Sequence, residues 1–139
     1  PRDKYGRIDP FFNTPESGVE TGAWALIPDL SLEDFNQILR VNSTGVFLGL
    51  KHVIPVIVAS GGGAIVNTSS INGIKGARGQ VAYVASKHAV ASMTKVTAKE
   101  WGPKGGPREI ATMAAFLLSN QATYITGACY SVDGGLSAI

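Results

Sequence analysis

Three side chains between residues 70 and 87 have the types and spacing for proton chemistry. Ser70, Tyr83 and Lys87 lie in "NTSSINGIKGARGQVAYVASKHAV" (67–90), with Tyr83 four residues before Lys87 and thirteen after Ser70. On a helix, residues i and i+4 share a face about one turn apart, so Lys87 can hold its ammonium near the Tyr83 phenol. A nearby positive charge favours phenolate, and the expectation is that Lys87 lowers the Tyr83 pKa toward a value useful at neutral pH. Ser70, at the end of a strand, can donate a hydrogen bond to the same substrate oxygen. Together they suit proton exchange with a carbonyl or alcohol oxygen. They include no nucleophile–base pair for acyl transfer and no metal-ligand spacing. A bare Tyr-x-x-x-Lys also arises by chance, so its surroundings decide its weight.

Those surroundings read as alternating strands and helices. "RIDPFFN" (7–13) is a short buried strand, weakened by Pro10, which cannot donate to a central ladder. A loop follows to about residue 30. Ser31 opens a helix with Asp34 at capping-box spacing and Phe35, Ile38, Leu39 and Val46 on a helical period. The helix is expected to run to about Val58, bent or interrupted near Pro55. After the turn "SGGG" (60–63), "AIVNTSS" (64–70) is a buried strand. A second helix spans about 81–101, stopped by Gly102-Pro103, and a third spans 107–119 with Pro107 in its first turn. "ITGACYSVDGG" (125–135) holds a final strand and a Gly-Gly turn. The alternation implies an α/β layer fold with a parallel sheet, in one domain of 139 residues.

With the elements placed, the chain resembles the classical short-chain dehydrogenase/reductase family. The matching residues are "YGRID" (5–9), "VNSTGVFLG" (41–49), "IVNTSS" (65–70), "YVASK" (83–87), "GGPREIA" (105–111) and "YITGACYSVDGG" (124–135), in the family's order. The resemblance implies an incomplete Rossmann-like, doubly wound parallel sheet and an oxidoreductase using NAD or NADP. It implies that Tyr83 is the general acid/base, and that Lys87 lowers its pKa and binds the nicotinamide ribose hydroxyls. Ser70 would orient the substrate oxygen, and Asn42 would support a water linked to the lysine. Asn42 read locally is instead a helix-interior asparagine bonding to nearby backbone. Ser69 reads as a structural hydroxyl, His52 and His88 as surface or interface residues, and Val132–Gly135 as a structural turn.

The sequence departs from the family in three places. It starts at "PRDKYGRID", after the strand, glycine-rich turn and helix that cradle the cofactor pyrophosphate. Where the family carries Asn-Asn-Ala-Gly beside the adenosine, this chain has Asn13, then "TPES", then Gly18. Only Asn13, and at most Gly18, matches that cofactor contact. "AKEWGPKG" and "GGPREIA" are fused at about Lys104–Gly106, where the family places a strand, a Pro-Gly turn and a substrate loop. The alternatives are the ordered part of a longer polypeptide and a truncated or internally deleted chain. Unpaired backbone in a sheet interior is costly, which favours the second, with the final strand sliding over to pair with 64–70 or the C-terminal helix repositioned.

Composition bounds the remaining classes. A net charge of +2 from twelve basic and ten acidic residues gives no basis for nucleic-acid or membrane binding. One cysteine, Cys129, cannot form an internal disulfide. "GVFLGLKHVIPVIVAS" is interrupted by Lys51, His52 and Pro55, and its flanks suit neither a signal peptide nor a membrane span. The acceptor-like triplets at Asn42 and Asn67 are read as chance. A cytoplasmic protein is the default. Small residues Ala82, Ala85, Ser86, Ala89 and Ser92 leave one side of helix 81–101 slim, and with the resemblance this points to a homo-dimer or tetramer. The function expected is interconversion of a ketone and a secondary alcohol. Its rivals are a catalytically silent remnant that keeps the oligomer surface and an epimerase or dehydratase of the extended branch, which shares Tyr-x-x-x-Lys but which the "VDGG" ending disfavours.

Overall fold

A computed structural model describes residues 6–8, 10–17, 24–102, 107–128, 130–135 and 138, the side chains of 107–109 excepted. The chain divides into two compact units, Pro1–Met93 and Thr94–Ile139.

In the first unit, strand β1 (Pro10–Asn13) pairs in parallel with β2 (Ala64–Asn67), in the register Pro10 to Ala64 through Asn13 to Asn67. β1 begins at Pro10, the first strand position being one that tolerates a missing N–H. The expected strand 7–13 is therefore shorter, and its Asp9 lies outside the described residues. β2 stops at Asn67 instead of Ser70. The Thr68 N–H still donates to the Asn13 carbonyl at 3.0 Å, but Ser70 accepts from the Asn72 N–H at 3.2 Å and caps a short 3₁₀ turn, Ile71–Gly73.

Between the strands runs a long helical stretch. Ser31 caps it as its spacing predicts: the Asp34 N–H donates to Ser31 Oγ at 3.1 Å, and that hydroxyl donates to Asp34 Oδ2 at 2.6 Å. Helix α1 (Leu32–Leu39) passes through a π-helical turn (Arg40–Thr44) into α2 (Gly45–Ala59). The irregularity thus falls at 40–44, and not at Pro55, which is accommodated inside α2. Lys51, whose carbonyl loses its partner to Pro55, is exposed, so water can satisfy that oxygen.

Helix α3 (Val81–Trp101) has the predicted bounds. In the first unit Val90 and Met93 pack with Val46, Leu50, Ile54 and Ile65, joining α2, α3 and β2 in one core. Ala82 packs with Ile38, Leu30, Phe35 and Leu39 in another. Strand–helix–strand with a parallel pair is a partial Rossmann-like α/β fold. The run Leu32–Ala59 is by length and composition apolar enough to cross a membrane. Ile38, Val46, Leu50, Val53 and Ile57 are buried in this unit, while Phe47, Leu48 and Val58 of the same run are exposed.

The second unit corrects the sequence reading. Helix α4 is Pro107–Leu117, two residues shorter than expected, because Ser119 caps a 3₁₀ turn at Asn120–Ala122. The described residues of 125–135 form no strand. Positive φ at Gly127, Gly134 and Gly135 turns the chain repeatedly there. The strand at 64–67 pairs with β1, not with this segment. Cys129 and the Lys104–Gly106 junction lie outside the described residues.

Candidate active site

All four residues expected to carry the chemistry fall in the first unit. Tyr83 and Lys87 are one turn apart on α3, and the Lys87 ammonium lies 5.4 Å from the Tyr83 ring centroid. Lys87 is wholly buried. Its Nζ donates to the Thr68 carbonyl at 3.3 Å, just past the end of β2. Ser70, two residues further on, acts on the Tyr83 phenol in the direction that lowers its pKa. A strand end and a helix face are thereby brought together by the turn 71–80.

Small residues make that approach possible. Ser69 Oγ donates to the Lys87 carbonyl at 3.1 Å, which gives the neighbouring hydroxyl the structural task expected of it. A Cβ on Gly73 would collide with Ser69 Oγ and come within 3.0 Å of the Lys87 carbonyl oxygen. Only glycine lets turn 71–73 sit on α3 at this height.

Asn42 is fully buried, in the π-helical turn. It receives the Ser17 N–H on Oδ1 at 2.6 Å and donates through Nδ2 to the Ser17 carbonyl at 2.8 Å. Nδ2 also donates to Ser86 Oγ at 3.0 Å, and Ser86 Oγ donates to the Tyr83 carbonyl at 2.7 Å. Its partners are 25 and 44 residues away, so neither is the local backbone. Asn42 straps segment 14–17 to α3 beside the tyrosine.

Asn13, expected against the cofactor, is also buried. Its Nδ2 donates to the Val46 carbonyl at 3.1 Å and to Asn67 Oδ1 at 3.0 Å, tying β1 to α2 and β2. Gly18, its expected companion, lies outside the described residues. His52 and His88 are exposed, and His88 Nδ1 lies 2.9 Å from the Val84 carbonyl. Among the described residues no group of three or more His, Cys, Asp or Glu could hold a metal. A separate cavity of about 410 Å³ lies between residues 25–28 and residues 77–79 and 81.

Sequence reasoning missed Glu16. The Tyr83 hydroxyl donates to Glu16 Oε1 at 2.6 Å, and the same oxygen lies 3.7 Å from Lys87 Nζ. This overturns the expected lowering of the tyrosine pKa. Burial is the largest cause raising it, followed by the hydrogen bond to Glu16, and the Glu16 charge adds to both. The Ser70 hydrogen bond pulls the other way and loses. Lys87 cannot promote phenolate alone while a carboxylate shares its charge. The only signal in sequence was that "TPES" replaces the family's Asn-Asn-Ala-Gly continuation.

Comparison with known proteins follows the same lines. The short chain dehydrogenase family matches over residues 2–117, and the Enoyl-(Acyl carrier protein) reductase family over 104–137. Cyclohexanol dehydrogenase of Acinetobacter sp. strain SE19 is 34% identical over 79% of this chain and 57% of its own length. Levodione reductase of Leifsonia aquatica is 31% identical over 98% of this chain and 67% of its own. The crystal structure of levodione reductase superposes with a TM-score of 0.67 at 30% identity, covering 99% of this chain and 69% of that one. NAD+-bound xylitol dehydrogenase gives 0.67 at 35% identity, covering 71% and 37%. The chain thus spans about two-thirds or less of the length of these relatives.

Proposed function

Because this chain belongs to the short-chain dehydrogenase family, we propose that Ser70, Tyr83 and Lys87 exchange a proton with the oxygen of a ketone or secondary alcohol. The observation that carries this reading is the convergence of Tyr83 Oη and Lys87 Nζ on a single oxygen atom, here Glu16 Oε1. A phenol and an ammonium that meet on a carboxylate oxygen can meet equally on a hydroxyl or carbonyl oxygen. Tyr83 is the general acid/base, and Ser70 holds the substrate oxygen against it. Asn42 keeps segment 14–17 and Ser86 in place around the pair, and carries any water-linked role from there.

The cofactor is NAD or NADP, as in solved relatives such as NAD+-bound xylitol dehydrogenase. Lys87 and Tyr83 are the residues here that would hold its ribose hydroxyls, and their convergence on one oxygen fits that task. Asn13 would act on it through the β1–α2–β2 junction that it ties together. When bound, the nicotinamide supplies the hydride, and the protein supplies position and electrostatics. The named relatives act on cyclohexanol and levodione, so small cyclic ketones and alcohols are the substrates to try first. We further propose one catalytic domain, a cytoplasmic location and a homo-dimer or tetramer.

The test is NADH- or NADPH-dependent turnover of cyclic ketones by the chain and by Tyr83→Phe. Removing the titrating hydroxyl while keeping the ring should cost at least about a hundredfold in kcat, with circular dichroism unchanged. A Tyr83→Phe variant that keeps most of the wild-type kcat ends the assignment. The Glu16 carboxylate already on the tyrosine favours one rival, a silent remnant that keeps only the oligomer surface. Calorimetry showing no nucleotide binding would select it.

A further inference from the structure

Glu16 has no role in the reading above, yet it makes the shortest polar contact at Tyr83. Its position is built, not incidental. Ser17 next to it is clamped by two hydrogen bonds to buried Asn42, at 2.6 and 2.8 Å. Pro15 on the other side rests against Gly45, where an added Cβ would approach the proline ring to 3.1 Å. The segment is pinned on both flanks, and these pins aim the side chain between them at the phenol. The Glu16 side chain is 46% exposed, so it can rotate into water without breaking either pin.

We propose that Glu16 is a latch on the Tyr83–Lys87 pair: its carboxylate takes the place of a ligand's hydroxyl oxygens, and a hydroxyl-bearing ligand must displace it. This rests on the reading of the pair as a hydroxyl-binding site. One carboxylate oxygen accepts from the phenol and balances the buried ammonium, the two interactions a ribose hydroxyl or substrate oxygen would need. Ammonium, carboxylate and protonated phenol together carry no net charge, and Glu16 supplies the counter-charge to Lys87. Displacement releases the carboxylate to solvent and leaves the ammonium and phenol facing the incoming oxygen. Latching therefore sets a threshold on ligand binding and suppresses phenolate in the resting chain.

Two measurements test the latch without relying on turnover. The Tyr83 phenol is titrated by ultraviolet difference spectroscopy against Tyr83→Phe, in the wild-type chain and in Glu16→Gln and Glu16→Ala. NADH binding to the same proteins is followed by fluorescence. Replacing the carboxylate should lower the phenol midpoint by roughly one unit, the scale of one charged neighbour. NADH should bind severalfold tighter to both variants. Acetate added to Glu16→Ala should move the phenol midpoint back up by refilling the vacated place. An unchanged midpoint in Glu16→Gln overturns the latch, as does NADH binding that is equal or weaker in both variants. If no protein binds NADH, while the midpoint falls and acetate restores it, the nucleotide reading fails and the latch stands.

Discussion

At the scale of single residues, a buried lysine and a half-buried tyrosine share one carboxylate, and this sets the pH behaviour to expect. Tyr83 is held above the usual tyrosine range by burial and by Glu16. Alcohol oxidation needs the phenolate and ketone reduction needs the phenol. The kcat/KM of oxidation, which reports the ligand-free chain, should therefore climb with pH well past neutrality while that of reduction holds, a split that pH–rate profiles in both directions would show. Lys87→Ala should shift that profile further up and weaken nucleotide binding; a profile that the substitution leaves unmoved removes the lysine's role. Asn42→Ala leaves the Ser17 N–H and carbonyl and the Ser86 hydroxyl short of partners. A loss of about 1–3 kcal/mol in denaturant unfolding is expected, since buried polar groups stranded without partners carry that cost.

At the scale of elements, two glycines one turn apart on α2 decide how closely β1 and its loop approach. A Cβ on Gly49 would lie 2.8 Å from both amide atoms of Asn13, which has nowhere to move while bonded to Val46 and Asn67. Gly49→Ala should destabilise the chain by about 1–3 kcal/mol, measured by thermal or urea unfolding. Gly45→Ala presses instead on the Pro15 ring and should act mainly on the aim of Glu16. The capping at Ser31 and the bounds of α3 follow from local rules that sequence states openly. The π-helical turn at Arg40–Thr44 does not, because the low helix propensity of Val41, Asn42, Ser43 and Thr44 marks a weak stretch of helix without specifying a wider turn. What favours the wider turn is the tertiary set of bonds made by Asn42.

At the scale of the whole molecule, folding holds the Tyr83 proton more tightly than the unfolded chain does. That contribution is complete below the ordinary tyrosine value of about 10 and is lost as pH rises beyond it toward the raised folded value. Alkaline unfolding should accordingly be steeper in the wild type than in Tyr83→Phe, as denaturant midpoints against pH would show. The slim side of helix 81–101 is partly used within the chain, for Ala82 and Ser86 are buried, while Ser92 is exposed. Phe47 and Leu48 on α2 are exposed as well. An assembly built on these helices should sediment as a dimer or tetramer at micromolar concentration; monomer alone would contradict it.

Residue types and spacing alone determined that Tyr83 and Lys87 share a helix face, that Ser70 ends near a strand, and that the chain alternates α and β. Each of these depends on contacts within a few residues, where helical and strand periods dictate geometry. Spacing could not tell which charge would reach the tyrosine first. Glu16 lies 67 residues from Tyr83 in sequence, and it arrives there only because Asn42 and Gly45 pin its loop against α3 and α2. The final strand failed for the same reason in reverse. A strand needs a partner's backbone, which residues 125–135 cannot supply by themselves.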